Sequence, residues 1–401
     1  MTSSPIEEIK NRIDVVELIQ QYLKLQKAGI NYRGVCPFHS EKKPSFFVSP
    51  ARQIWHCFGC QAGGDIFKFI MMIEGTEFKD ALRLLAQKAG VELKKEDPKI
   101  ISERHRLYDI CELATRFFEK QLESATGQTV KKYLLDRGIT EESIKKWRLG
   151  YAPETWQGLS DFLVGQGYKR EEEVKAGLTV AKGGSDFFDR FRSRIMFPVF
   201  DLNSQVIGFG GRIFGSDEFI AKAEQTGNGA KYVNTPATML YDKSNVLYGL
   251  DKAKLDIRKK DACLLVEGYM DAIMVSQAGF QNVVAASGTA LTLNQLKTLK
   301  RYSSNLLSAF DMDIAGNSAT DRGIDLAQAY GFNVRVITMP VGLDPADVIQ
   351  KDEKEWKSLA ENSKSIIEYY FENALSKYDP KTPEGKKDIS KIILPKISIV
   401  P

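Results

Sequence analysis

Cys263-Leu-Leu-Val-Glu267-Gly-Tyr-Met-Asp271 decides how this chain reads, because a short apolar run ends there on a carboxylate. A second run, Leu306-Leu-Ser-Ala-Phe310, ends in Asp311-Met-Asp313. Around them the pattern alternates: strand 262–266, helix 268–278, strand 282–286, helix 292–302, strand 305–310, helix 318–330, strand 333–338. Such alternation predicts a parallel sheet with crossovers, whose polar crevice lies at the C-terminal strand ends. Glu267, Asp311 and Asp313 therefore share one sheet edge. Asp271 lies one helical turn beyond Glu267, and Asp344 and Asp347 follow the last strand back toward that edge. Clustered carboxylates hold their charge cheaply only with a cation among them. Oxygen ligands of this kind select magnesium or manganese. Two such ions would lower the pKa of a 3′-hydroxyl and neutralise phosphate charge during in-line displacement.

Upstream, Cys36-Pro-Phe-His39 is followed by seventeen residues and then Cys57-Phe-Gly-Cys60. The intervening Ser45-Phe-Phe-Val-Ser49 and Gln53-Ile-Trp-His-Cys57 read as two strands returning through Pro50-Ala-Arg. That hairpin brings the two ligand pairs together, and three thiolates with one imidazole suit a tetrahedral zinc. Four protein ligands leave no open position, so one structural Zn2+ is expected, with folding of the module coupled to it. His56 is expected to point away from Cys57, toward solvent or nucleic acid. Lys42, Lys43, Phe46, Phe47, Arg52, Trp55, His56 and Phe58 would give bases a stacking surface with flanking cations; the other reading of Phe46 and Trp55 is a small core around the metal. A helix is expected over 6–24 and a packing helix over 65–73, with a charged, proline-containing linker after residue 93.

Between these modules, Arg190, Arg192 and Arg194 alternate, which in one strand would place them on a shared face. Gln205-Val-Ile-Gly-Phe-Gly-Gly-Arg212 returns as a strand, and Lys231, Asn234 and Lys243 follow among turn residues. Alternating arginines are commonly a solvated sheet edge. Placed just before the acidic unit, they read instead as a phosphate-binding track.

Over 401 residues, 43 % apolar and 27 % charged, two or three domains are expected. The net charge of +4 is too small to argue a nucleic-acid partner from totals. No apolar segment approaches a bilayer span, and Met1-Thr-Ser-Ser-Pro5 lacks a signal-peptide core, so a cytoplasmic location is expected. Five cysteines with one C-x2-C fit a metal site better than disulfides; Cys111 and Cys263 read as buried small hydrophobes. No G-x-x-x-x-G-K-[ST] is present, which argues against a motor ATPase.

Cys36-Pro-Phe-His39 with His56-Cys57-Phe-Gly-Cys60 resembles the zinc-binding domain of bacterial DNA primases. Glu267-Gly-Tyr-Met-Asp271, Phe310-Asp311-x-Asp313-x-Ala-Gly316 and Gly342-x-Asp344-Pro resemble their Toprim motifs. Arg190-Phe-Arg-x-Arg194-Ile-Met-Phe-Pro198, Gly210-Gly-Arg212 and Lys231-Tyr-x-Asn234-x-Pro236 resemble the primase-specific part of the polymerase domain. The resemblance runs from about residue 6 to 375. It implies an α+β multidomain fold: a zinc ribbon, then a mixed α/β polymerase domain containing a Toprim parallel sheet. The expected segments are 1–95 zinc-binding, 96–110 linker, 111–258 basic subdomain, 259–342 Toprim, 343–378 helical and 379–401 tail.

The resemblance also implies roles. Glu267, Asp311 and Asp313 would be catalytic, and with Asp344 would hold Mg2+ or Mn2+. Arg190, Arg192, Arg194, Arg212, Lys231, Asn234 and Lys243 would contact template and nucleotide. The implied activity is RNA primer synthesis from NTPs on single-stranded DNA, by a monomer. The family's full-length enzymes also bind the replicative helicase through a further C-terminal domain, expected to be missing here. One departure stands out: the family's Asp-Pro-Asp is Asp344-Pro-Ala346-Asp347 here, so the second carboxylate is either lost or displaced by one residue. Two alternatives stay open: a Toprim metal-dependent nuclease, or a non-catalytic zinc-containing nucleic-acid-binding protein. A topoisomerase would need a nucleophilic tyrosine, and nothing singles out one of the 15 tyrosines.

Overall fold

Asp14 interrupts the apolar pattern of the first twenty residues, and the chain obeys it. Its side chain accepts hydrogen bonds from the backbone N–H of Val16 and Glu17 at 2.8 and 3.1 Å, capping a new helix. The single helix expected over 6–24 is therefore two, Pro5–Arg12 and Val15–Gln20. The computed structural model describes residues 5–39, 41, 43–76, 78–91, 98–182, 186–215, 229–288, 291–310 and 319–398. These divide into two units: residues 1–98 with 254–261, and residues 99–253 with 262–401.

In the first unit, strands β1 (Gln26–Ala28), β2 (Asn31–Gly34), β3 (Phe46–Ser49), β4 (Ile54–Cys57) and β5 (Gly63–Gly64) form one antiparallel meander in sequence order. Strand alternation divides their side chains between two faces. Phe46, Val48, Trp55 and Cys57 are fully buried on one face. There Phe46 stacks on Trp55 with ring centroids 5.1 Å apart, and Phe69 of the helix Ile66–Ile73 meets Trp55 edge-on at 5.9 Å. Phe46 and Trp55 thus belong to the core and offer no surface to bases. The opposite face carries a cross-strand row, Arg33, Phe47 and His56, set by the pairings Arg33 with Phe47 and Phe47 with His56.

The second unit opens with the long helix Pro98–Glu123, which runs through much of the expected linker. Leu107, Ile110, Cys111, Ala114 and Phe118 recur at helical spacing and are all buried, which supplies the reason. Strands β6 (Gly150–Ala152), β7 (Thr179–Ala181), β8 (Phe187–Asp189), β9 (Arg194–Phe200), β10 (Val206–Ile213) and β11 (Tyr232–Asn234) follow. Four of them form an antiparallel sheet ordered β11-β10-β9-β6, while β7 and β8 pair alone. Every residue of β9 is buried.

The remaining strands are β12 (Cys263–Val266), β13 (Val283–Ala285), β14 (Asn305–Ser308), β15 (Asn333–Val336) and β16 (Lys364–Ser365). Their order is β13-β12-β14-β15-β16, parallel except for β16. The first strand sits between its two successors, which makes a topological switch point between β12 and β14 at their C-terminal ends. Glu267 follows β12 directly, so the crevice of the sheet opens beside a carboxylate. Buried Val266, Tyr269, Ile273, Trp147 and Tyr248 pack in one core, with Trp147 stacked on Tyr248 at 5.0 Å. Among the described residues no helix is long and apolar enough to cross a membrane.

Candidate active site and metal centre

The hairpin β3–β4 aligns the two ligand pairs, as Phe46 pairs with Cys57 in its register. One ligand atom each from Cys36, His39, Cys57 and Cys60 lies within 4.8 Å of all the others. Cys36 Sγ and Cys60 Sγ are 3.9 Å apart, and Cys57 Sγ is 3.8 Å from His39 Nδ1. A tetrahedral zinc with Zn–S bonds of about 2.3 Å spaces its sulfurs about 3.8 Å apart. The donor set fits zinc in both chemistry and spacing, and His56 takes no part in it. Gly59 is required by close approach: a Cβ there would lie 2.5 Å from His39 Nε2 and 2.9 Å from Ser45 Oγ. Burial alone would raise the Cys57 thiol. Its contact with the Ser45 hydroxyl and hydrogen bonds from the N–H groups of Cys60 and Gly59 nevertheless bring it below the ordinary cysteine value. Burial pushes Cys36 and Cys60 up.

The second site is a cleft of about 500 Å³ at the switch point. Glu267, Asp271, Asp344 and Asp347 line it together with Arg137, Arg212 and Lys231. Local structure fixes the acids. Asp271 is the third residue of the helix Tyr269–Gln277, and its carboxylate accepts the Gly268 N–H at 3.0 Å and the Ala346 N–H at 3.3 Å. Asp344 caps the helix Pro345–Lys351 by accepting the Asp347 N–H at 2.7 Å. Both carboxylates thus stand at helix N-termini, where negative charge is favoured.

Burial nevertheless pushes Asp271 up to about 7, and the nearby Asp344 and Glu267 raise it further against its two N–H donors. Burial raises Asp344 as well. Hard oxygen donors raised in this way fit a magnesium- or manganese-type ion. Among the described residues, only the thiol and imidazole groups form a close metal-ligand set; the acids of the cleft do not. Asp311 and Asp313 lie outside the described residues, although Ala309 at the end of β14 lines the cleft.

The structure answers the question raised by Ala346. That residue is 3 % exposed and packed inward, whereas Asp347, next along the helix, lines the cleft and pairs with Arg137 at 3.3 Å. A carboxylate one residue beyond position 346 thus reaches the cleft.

The arginines behave less uniformly than their spacing predicted. Ser193 adopts a φ of 50°, which ends the extended run, so Arg190, Arg192 and Arg194 do not share a strand face. Arg190 donates to the Gly177 carbonyl at 2.9 Å. Arg194 is buried and donates to the carbonyls of Gly211 and Ala230 at 3.1 and 2.9 Å, which makes it a brace for β10. Arg192 lies 4.3 Å over the ring of Trp156, which is 64 % exposed. Arg212 also lies over an aromatic ring, that of Tyr133 at 5.4 Å. Asn234 accepts a hydrogen bond from the Tyr269 hydroxyl, and Lys243 is not among the lining residues.

Sequence reasoning missed Arg137, Trp156 and Glu41. Arg137 carried no signal, because its partner Asp347 is 210 residues away. Trp156 could have been suspected as a lone aromatic in a polar turn, Glu154-Thr-Trp-Gln157.

Three family descriptions match consecutive parts of the chain: a CHC2 zinc finger over residues 1–100, the N-terminal domain of the DNA primase catalytic core over 117–254, and a Toprim-like domain over 264–349. The DNA primase of Clostridium acetobutylicum is 39 % identical over 398 residues, covering 97 % of this chain and 64 % of that protein. That of Escherichia coli K12 is 34 % identical over 406 residues, covering 99 % and 68 %. Among solved structures, the zinc-binding and RNA polymerase domains of the Aquifex aeolicus primase superpose with a TM-score of 0.61 at 31 % identity, covering 99 % of this chain and 95 % of that one. A DnaG primase catalytic domain bound to ssDNA gives 0.63 at 31 % identity, over 75 % and 92 %. The chain belongs to the bacterial DnaG-type DNA primase family. It spans between about half and two thirds of the length of the curated relatives it matches.

Proposed function

We propose that the chain synthesises short RNA primers from NTPs on a single-stranded DNA template. The observation that carries this reading is the cleft that Glu267, Asp271, Asp344 and Asp347 line together with Arg137, Arg212 and Lys231. Phosphates of an incoming nucleotide would meet the arginines and lysine, while the acids, with Asp311 and Asp313, would hold divalent ions. Bound there, Mg2+ or Mn2+ would supply charge neutralisation and activation of the attacking hydroxyl. Glu267, exposed at the end of β12, would meet the ions first. Asp271 would ionise more fully as cations arrive, since burial and neighbouring acids push it up to about 7. Arg192 on Trp156 and Lys243 would contact template in the second unit, with Asn234 held by Tyr269, and the outward row Arg33, Phe47 and His56 would do so on the zinc module. The zinc module would hold or select the template start. The same reading makes the protein a cytoplasmic monomer with single-stranded DNA, NTPs and RNA primer as partners, and the replicative helicase as the partner of the family's longer enzymes. All five cysteines are free of disulfides, as a reducing compartment requires.

The test is incubation with single-stranded DNA, labelled NTPs and magnesium or manganese, beside Glu267→Gln and Asp311→Ala. Short RNA that disappears in both variants is expected. Cleavage of labelled DNA without RNA growth would support the nuclease reading. DNA binding without metal-dependent turnover, even on a pre-annealed primer, would leave a binding protein.

A further inference from the structure

Outside the four sulfur and imidazole ligands, one carboxylate is wired to both halves of the metal centre. Glu41 is 11 % exposed at its side chain. Its Oε1 accepts the backbone N–H of Cys36 at 2.7 Å and of Ser45 at 3.1 Å. Its Oε2 lies 3.3 Å from His39 Nε2 and accepts the Ser45 hydroxyl. Ser45 Oγ is in turn 3.2 Å from Cys57 Sγ. One side chain therefore reaches the first ligand pair through Cys36 and His39, and the second through Ser45 and Cys57.

We propose that Glu41 is the positioning residue of the zinc centre, holding His39 by Nε2 so that Nδ1 faces the metal and steering Cys57 through Ser45. An imidazole that donates at one nitrogen to a carboxylate keeps the other nitrogen bare, and its basicity as a ligand rises. The geometry matches: Nε2 faces Glu41 while Nδ1 faces the Cys57 sulfur. The Ser45 hydroxyl donates its one proton to the Glu41 carboxylate while its oxygen stays 3.2 Å from the Cys57 sulfur, and so joins the two knuckles. A plainer role for Glu41 would be a staple of the turn through its two backbone bonds alone. The inference rests on the zinc reading of the site and is independent of the catalytic one.

The test measures zinc release from the purified full chain into excess chromophoric chelator, together with the absorption spectrum of the cobalt-substituted protein. Wild type is expected to hold one zinc per chain. Glu41→Gln retains an oxygen for the backbone N–H groups and loses the charge facing Nε2; release is expected to accelerate about tenfold or more, with a shifted cobalt ligand-field band. In a His39→Cys background there is no imidazole to orient, so the same substitution is expected to lose most of its effect. Equal acceleration in both backgrounds would overturn the proposal in favour of the turn staple, as would a wild-type rate and spectrum in Glu41→Gln. Should Glu41→Gln fail to fold, Glu41→Asp replaces it: faster release with a shifted spectrum supports the proposal, and no change in either overturns it. A wild-type chain that holds no zinc removes the proposal together with the zinc reading itself.

Discussion

The Tyr269 hydroxyl donates to the Asn234 side-chain oxygen at 2.6 Å, which ties the first turn after Glu267 to strand β11, just beyond Lys231. Tyr269 also stacks on Phe197 at 5.0 Å, and its ring occupies the space a Cβ on Gly210 would need, 2.4 Å away. One aromatic side chain thus joins the start of the helix Tyr269–Gln277 to strands β9, β10 and β11. Tyr269→Phe is expected to cost about 1 kcal/mol in stability and to raise KM for NTPs more than it lowers kcat. Gly210→Ala is expected to displace the ring and reduce both stability and kcat. Thermal unfolding and steady-state kinetics check these together.

Restoring the family's carboxylate at position 346 is expected to harm the protein. Ala346 is packed inward, with its N–H on Asp271, so Ala346→Asp buries a charge beside another acid. A loss of about 3–5 kcal/mol is expected in denaturant unfolding. Asp347→Asn, by contrast, leaves the fold near its original stability and raises the magnesium concentration needed for half-maximal activity, which a metal titration reads directly.

Glu173 gives unit two a dependence on pH. It is wholly buried, accepts the Ser160 hydroxyl at one oxygen, and its other oxygen, Oε1, has no partner. Burial pushes its carboxyl from 4.5 up to about 7. Because the folded value lies above the unfolded one, its stabilising contribution is complete below the ordinary value near 4.5 and is lost as pH rises through about 7. Burial raises Asp189 to about 6, in the same direction. Wild type is therefore expected to lose stability between pH 4.5 and 7, and Glu173→Gln to flatten that slope. Urea midpoints across the window would contradict this if both proteins gave parallel curves.

Trp156→Ala removes an exposed ring that Arg192 covers. Single-stranded DNA affinity is expected to fall by about 1–3 kcal/mol if a base stacks there. Fluorescence anisotropy at one fixed salt concentration decides it, and an unchanged Kd would take Trp156 off the template path.

Much of this was legible. Cys263-Leu-Leu-Val and its successors are apolar runs bounded by turn residues, so the parallel sheet and the carboxylate at its edge could be read directly. The zinc ligands could be read because two knuckles and a hairpin are all local. Three features resisted for physical reasons. Alternation of Arg190, Arg192 and Arg194 assumed extended backbone, which the left-handed Ser193 breaks. Asp14 looks like an ordinary polar position on a helix until its side chain is seen capping two N–H groups. The charged start of the helix Pro98–Glu123 has the composition of a linker, and only the buried stripe beyond it shows otherwise.

The Arg137–Asp347 pair closes a span of 210 residues. During synthesis Arg137, Arg212 and Lys231 leave the ribosome well before Asp344 and Asp347 do. A nascent chain thus carries these three cations before Asp347, the partner of Arg137, exists. The contact therefore forms only after the strands between its two ends have been made.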